Sequence, residues 1–168
     1  MVAPVTAYVG LGANLDDPVA QLRRAFGELA QLADTRVTAR SPLYKSAPLG
    51  PRDQPDFINA AARLETRLAP LALLTALQAV ESAHGRRRDG LRWGPRSLDL
   101  DLLLYGDLTL ATAALTLPHP GLRERAFVLY PLADIAADLN IPGGGSVEAL
   151  RDALAATRIR RLEDELHG

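Results

Sequence analysis

The chain has 168 residues, enough for one domain whose single core buries roughly two thirds of the unfolded surface without staples. Nineteen basic residues against twenty acidic ones leave a formal charge of −1, which excludes a molecule built as a whole to bind polyanions. The absence of cysteine excludes disulfides, thiol nucleophiles and thiolate-bound metals. Lys45 is the sole lysine, so the basic charge is nearly all arginine, suited to planar, bidentate contacts with carboxylate or phosphate. No stretch reaches the ~20 apolar residues of a membrane span and the N-terminus lacks a basic leader, so a cytoplasmic protein with no membrane partner is expected.

In chain order, Val5 to Leu11 reads as a strand. Asp17 then caps a helix that Pro18 opens and that carries Val19, Leu22, Phe26 and Leu29 on one side. Thr35 to Ser41 reads as a strand, and the proline-rich YKSAPLGPRDQPD marks a long loop from Lys45 to Asp56. Phe57 to Thr66 is the next strand. Pro70 opens a helix with Leu73, Leu74, Leu77 and Val80 on its apolar side, closed by Gly85. The loop GRRRDGLRWGPR leads into a strand from Ser97 to Tyr105. A loop and turn over LTLPHPGLRERAFVLYPL precede a short strand at Phe127 to Leu129. Ser146 caps a last helix bearing Val147, Leu150 and Leu154, and the residues from about 158 to 168 read as a charged tail that frays.

The order strand, helix, strand, strand, helix, strand points to an α+β, ferredoxin-like sandwich within one domain, residues 1–168. Its sheet would be mainly antiparallel, with helices on one face and the active site on the other side. Alternation along a strand sharpens this, because residues two apart share a face. Phe57 and Asn59 fall opposite Ile58, Ala60, Ala62 and Leu64. Asp99 and Asp101 fall opposite Leu98, Leu100, Leu102 and Leu104. With the leucines under the helices, the aromatic ring, the amide and both carboxylates emerge together.

The two aspartates of RWGPRSLDLDLLLYG, with α-carbons ~6.6 Å apart, suit one or two hard cations such as Mg²⁺, although an isolated pair of this kind also fits a solvated face. Arg86, Arg87, Arg88, Arg92 and Arg96 lie just upstream, and Mg²⁺ with arginines is common equipment for a polyphosphate. Between Glu81 and Asp101 the five arginines face four acids, a near balance that argues against a nucleic-acid stripe. Glu81 opposes the helix dipole in its last turn, with Gln78 one turn earlier; each suits a site or a solvated helix end. Trp93 either packs on the core or closes over a nucleotide, and His119 either contacts phosphate or is a satisfied loop histidine. Arg125 and Phe127 share a side if the segment is extended. Phe127 is then core, or it clamps a flat heterocycle against Phe57 while Asn59 reads the ring edge. GLGAN fails as a dinucleotide loop because Leu15 occupies the third glycine position, and no phosphate-binding Gly-Lys-Ser/Thr loop is present.

The segments YKSAPLGPRDQPDFINAA, GRRRDGLRWGPRSLDLDLLLYG and LPHPGLRERAFVLYPL, in this order, resemble 6-hydroxymethyl-7,8-dihydropterin pyrophosphokinases from about Tyr8 to Asn140. The resemblance implies transfer of the β,γ-diphosphate of ATP to the pterin hydroxymethyl group, releasing AMP, with two Mg²⁺ ions, in folate biosynthesis. It implies Asp99 and Asp101 as metal ligands, and Phe57, Asn59 and Phe127 as pterin contacts beside Ser46, Ala47, Pro48 and Leu49. Glu81, Arg88, Arg92, Trp93, His119 and Arg125 match nucleotide and phosphate contacts, and Gln78, Leu102 and Thr116 match adenine or ribose contacts. Arg86 and Arg96 match a catalytic pair brought in by loop closure. Phe57 in place of tyrosine, Ser46-Ala47 in place of Thr-Pro, and Pro120 in place of an aromatic depart from some relatives. The expected partners are these two small molecules, with no nucleic acid, and the expected state is a monomer. The alternative is a non-catalytic ferredoxin-like module that binds nucleotide or RNA.

Overall fold

A computed structural model describes residues 3–15, 17–47, 56–84, 98–154 and 159–162. Strand β1 (Val5–Ala13) leads to helix α1 (Pro18–Leu29), β2 (Thr35–Arg40), β3 (Tyr44–Ser46), β4 (Phe57–Thr66), α2 (Pro70–Ala83) and β5 (Asp99–Tyr105). A small hairpin, β6 (Leu110–Ala111) with β7 (Thr116–Leu117), precedes a 3₁₀ turn (Leu122–Glu124), α3 (Ala126–Ala136), α4 (Val147–Asp152) and β8 (Ile159–Arg161). The expected start of α1 is realised: Pro18 occupies its first turn and the Asp17 carboxylate accepts from the Ala20 amide at 3.3 Å. Ser146 caps α4 in the same way, accepting from the Ala149 amide at 3.1 Å.

The main sheet runs β5-β1-β4-β3-β8, and β2 also pairs with β4. Every pairing is antiparallel. β2 lies along the Thr66 end of β4 and β3 along the Phe57 end. Ser41 bridges the gap between them, its amide donating to the Ala61 carbonyl at 2.9 Å and its hydroxyl accepting from the Ala61 amide at 2.8 Å.

One face of the sheet carries α1 and α2, with Val9, Leu11, Leu64, Leu100 and Leu102 buried against Leu22, Phe26, Leu73 and Leu77. The other face is not bare. α3 packs on it through Leu129 and Leu132 over Tyr8, Ala61, Leu103 and Leu104, with Val147 of α4 behind. Helices therefore lie on both faces, where the sequence pattern places them on one.

Two local features account for the difference. The run AFVLYPLADIA is apolar on nearly all sides, as a helix enclosed by sheet and α4 must be, so it carries no helical period to distinguish it from the strand expected at Phe127 to Leu129. Pro131 inside α3 adds to the ambiguity, since it cannot donate to the Phe127 carbonyl one turn back. The second feature is a bulge in β5: Tyr8 pairs with Leu104 but Val9 pairs with Leu102. The extra residue, Leu103, shifts the alternation, so Leu104 joins the cluster under α3 and not the Leu98, Leu100 and Leu102 side. Ile159 to Arg161, read as tail, form β8 against β3.

Candidate functional site

In an antiparallel ladder paired residues project to the same side, so the register lays the site out in rows. Asp99, Gly12, Asn59, Tyr44 and Arg161 form one row across β5, β1, β4, β3 and β8. Asp101, Gly10 and Ala61 form the neighbouring row, and Phe57, Ser46 and Ile159 another. Ala61 is under α3, and from there the face runs out past the helix to the carboxylates and Asn59. The grouping of Phe57, Asn59, Asp99 and Asp101 expected from alternation is thus what the register produces.

Gly10 and Gly12 lie between the carboxylates on β5 and the amide on β4. Leu103 packs over Gly10, its methyl carbons 3.5 Å from where a Cβ would stand, while at Gly12 the floor between Asp99 and Asn59 is bare backbone. A Cβ on Gly12 would stand 3.2 Å from Asn59 Oδ1, tight enough to push the amide. The dinucleotide-loop pattern these glycines resemble in sequence is incomplete, and their place is inside β1. Counting alternate positions back along β1 would have placed them on the carboxylate side.

Asn59 is 4% exposed, and its Nδ2 donates to Ser46 Oγ at 2.6 Å. The amide is thereby fixed in orientation by β3. Phe57 is half-buried beside it, and Ala47 follows Ser46 at the end of the described segment.

On the outer edge of β5, the Leu103 carbonyl accepts from the His119 amide at 3.0 Å, which anchors the loop before α3. His119 Nδ1 accepts from the Gly121 amide at 3.1 Å, leaving the ring proton on Nε2, which lies 3.9 Å from Asp101 Oδ1. Burial and the nearby Arg125 push the His119 pKa below its ordinary 6.5, against a raising influence from Asp99. A neutral imidazole with an Nε2 proton results near neutral pH. Arg125 sits over the Phe127 ring at 5.9 Å. Gly121 makes room for it, since a Cβ there would fall 2.4 Å from the guanidinium carbon. The two residues meet because Arg125 is extended and Phe127 lies in the first turn of α3, not because both lie on one strand.

Glu81, 5% exposed in the last turn of α2, accepts from the Leu100 amide at 2.7 Å. That bond ties α2 to β5 between the two aspartates. Gln78 is half-buried on α2 and Thr116 is exposed on β7, whereas the Leu102 side chain lies in the core at 2% exposure. Pro48, Leu49, Arg86, Arg88, Arg92, Trp93 and Arg96 lie outside the described residues.

The donor set of Asp99 and Asp101 is oxygen-only and half-exposed, the chemistry of a hard divalent cation. Among the described residues no group of three or more potential ligands converges. Two carboxylates leave coordination positions for water and phosphate oxygens, as Mg²⁺ prefers.

Residues 8–137 match the family model for 7,8-dihydro-6-hydroxymethylpterin-pyrophosphokinase. The chain is 53% identical over 155 residues to a 2-amino-4-hydroxy-6-hydroxymethyldihydropteridine pyrophosphokinase of Pseudomonas aeruginosa, covering 92% of this chain and 95% of that one. It is 46% identical over 158 residues to the protein of the same description from Haemophilus influenzae, covering 94% and 98%. A solved HPPK-DHPS structure from Plasmodium falciparum superposes with a TM-score of 0.76 at 13% identity, over 96% of this chain and 49% of that one. The chain spans about half the length of that structure, so the likeness concerns fold alone. The match to the family model over most of the length, with the two relatives at this identity, places the chain in the 7,8-dihydro-6-hydroxymethylpterin-pyrophosphokinase family.

Proposed function

We propose that the half of the second sheet face not covered by α3 is where this pyrophosphokinase moves the β,γ-diphosphate of ATP to the hydroxymethyl oxygen of 6-hydroxymethyl-7,8-dihydropterin, on a ferredoxin-like frame. The observation that carries the reading is the row Asp99, Gly12, Asn59: two kinds of recognition group at either side of a bare backbone floor. The pterin ring lies between Phe57 and Phe127, and the Ser46-held amide of Asn59 reads its edge. Asp99 and Asp101 would hold the two Mg²⁺ ions, which would supply neutralisation of the polyphosphate charge and Lewis-acid activation of the transferred group.

Arg125 and the Nε2 proton of His119 face the same phosphates, one as a fixed charge and the other as a neutral donor. Arg86, Arg88, Arg92 and Arg96 add positive charge for the phosphates, with Arg86 and Arg96 acting on the transferred group and Trp93 contacting the nucleotide. Gln78 on α2, Thr116 on β7 and Leu102 on β5 receive the adenine and ribose, with Glu81 tying α2 to β5. The hydroxymethyl oxygen attacks the β-phosphorus and releases its proton to water, the bond from that phosphorus to the bridging oxygen of AMP breaks, and AMP leaves.

The test is to incubate the protein with Mg²⁺, ATP and the hydroxymethyldihydropterin and identify the nucleotide formed. AMP that appears only with the pterin supports the reading. ADP, or no nucleotide change, rejects this reaction.

A further inference from the structure

β3 is three residues long, and its last residue, Ser46, holds Asn59. A strand this short gains little from pairing on one side. Here it is paired on both sides, because β8 adds to its outer edge with Tyr44 opposite Arg161, Lys45 opposite Arg160 and Ser46 opposite Ile159. β8 lies beyond the family-matched segment, which ends at residue 137.

Side chains lock the same three elements. Asp134 of α3 accepts from the Tyr44 hydroxyl through Oδ2 and from Arg161 through Oδ1, the latter at 2.8 Å. Arg161 also donates to the Tyr44 hydroxyl oxygen at 3.3 Å, with its guanidinium 5.8 Å from the centre of the Tyr44 ring. Burial, then the Asp134 carboxylate, raise the Tyr44 pKa above 10.0 despite Arg161, so the hydroxyl stays a donor. Tyr44 itself is 5% exposed and stands directly beside Asn59 in the cross-sheet row.

We propose that Arg161 is a positioning residue for pterin recognition: by joining β8 to Tyr44 and Asp134 it fixes β3, and through Ser46 it sets the orientation of the Asn59 amide. The inference rests on the assignment of Asn59 and Phe57 to the pterin. Arg161 touches no substrate in this account. Its influence falls on the pterin side of the face, while the carboxylates of β5, two strands beyond Asn59, lie outside its reach.

The experiment measures equilibrium binding of the pterin and of an ATP analogue to the full chain, for wild type, Arg161→Ala, Arg161→Lys, Tyr44→Phe and Phe57→Ala. Loss of a charge-assisted hydrogen bond predicts a pterin Kd raised about tenfold by Arg161→Ala, with the nucleotide Kd within about twofold of wild type. Arg161→Lys keeps the charge on Asp134 and recovers most of the loss. Tyr44→Phe keeps the ring packing and gives a smaller, pterin-only loss, so it carries the test if Arg161→Ala does not fold. Equal weakening of both ligands, or unchanged pterin binding in a folded Arg161→Ala or Tyr44→Phe, overturns the proposal. Phe57→Ala separates the two claims: unchanged pterin binding there means the pterin assignment has failed, and the role of Arg161 with it.

Discussion

The second face of the sheet has two halves built from the same three strands, and they do opposite things. Under α3, Tyr8, Ala61, Leu103 and Leu104 make a dry core. Gly10, paired with Ala61 and covered by Leu103, marks the border, and beyond it Gly12, Asn59, Asp99 and Asp101 make an open, polar floor. The bulge at Leu103 lies at the changeover. It delivers two consecutive leucines to the α3 side, which gives the helix a footing and keeps it off the aspartates. A short helix and one extra residue thus decide where core ends and chemistry begins.

The sharpest way to break this comparison is to remove a carboxylate. Asp99→Ala and Asp101→Ala should each reduce AMP formation by more than about a hundredfold, with the melting temperature little changed, as measured by a product assay and thermal unfolding. A core substitution in the other half should do the reverse. Leu129 is fully buried in α3, so Leu129→Ala should lower stability by about 2–5 kcal/mol in denaturant titration and leave the KM of both substrates close to wild type.

The open floor gives a smaller effect. Gly12→Ala introduces a Cβ 3.2 Å from Asn59 Oδ1 and should weaken the pterin about tenfold, as a loss of about 1.4 kcal/mol would, more than it weakens nucleotide, by ligand titration. The smallest effect is on His119. Its pKa in the metal-free protein should lie below 6.5, and Asp99→Asn should lower it further by removing a raising influence, both read from the imidazole resonances. Because the folded value is below the unfolded one, the His119 contribution to stability is full above about pH 6.5 and falls as pH drops toward the folded value.

Much of this was legible in the chain because each signal was local. Pro18 after Asp17, Pro70 before a leucine stripe, and the strict alternation of FINAAARL and LDLDL fix elements and faces with no tertiary information. Phe57, Asn59, Asp99 and Asp101 could therefore be grouped from spacing alone. What was not legible depends on contacts. The uninterrupted apolar run with Pro131 hid α3, and nothing in three successive leucines reveals which is the bulge. β8 is only Ile-Arg-Arg, and its pairing is set by Tyr44 and Asp134 far away in the chain. Gly10 and Gly12 declare their use only once their strand is seen between the two recognition groups.

The most direct test of the two-halves account is amide chemical-shift mapping on addition of Mg²⁺, an ATP analogue and the pterin. The account predicts that Gly10, Gly12, Asn59, Asp99 and Asp101 shift most while Leu129, Leu132 and Ala133 stay in place. Shifts concentrated under α3, or on the face that carries α1 and α2, would contradict it.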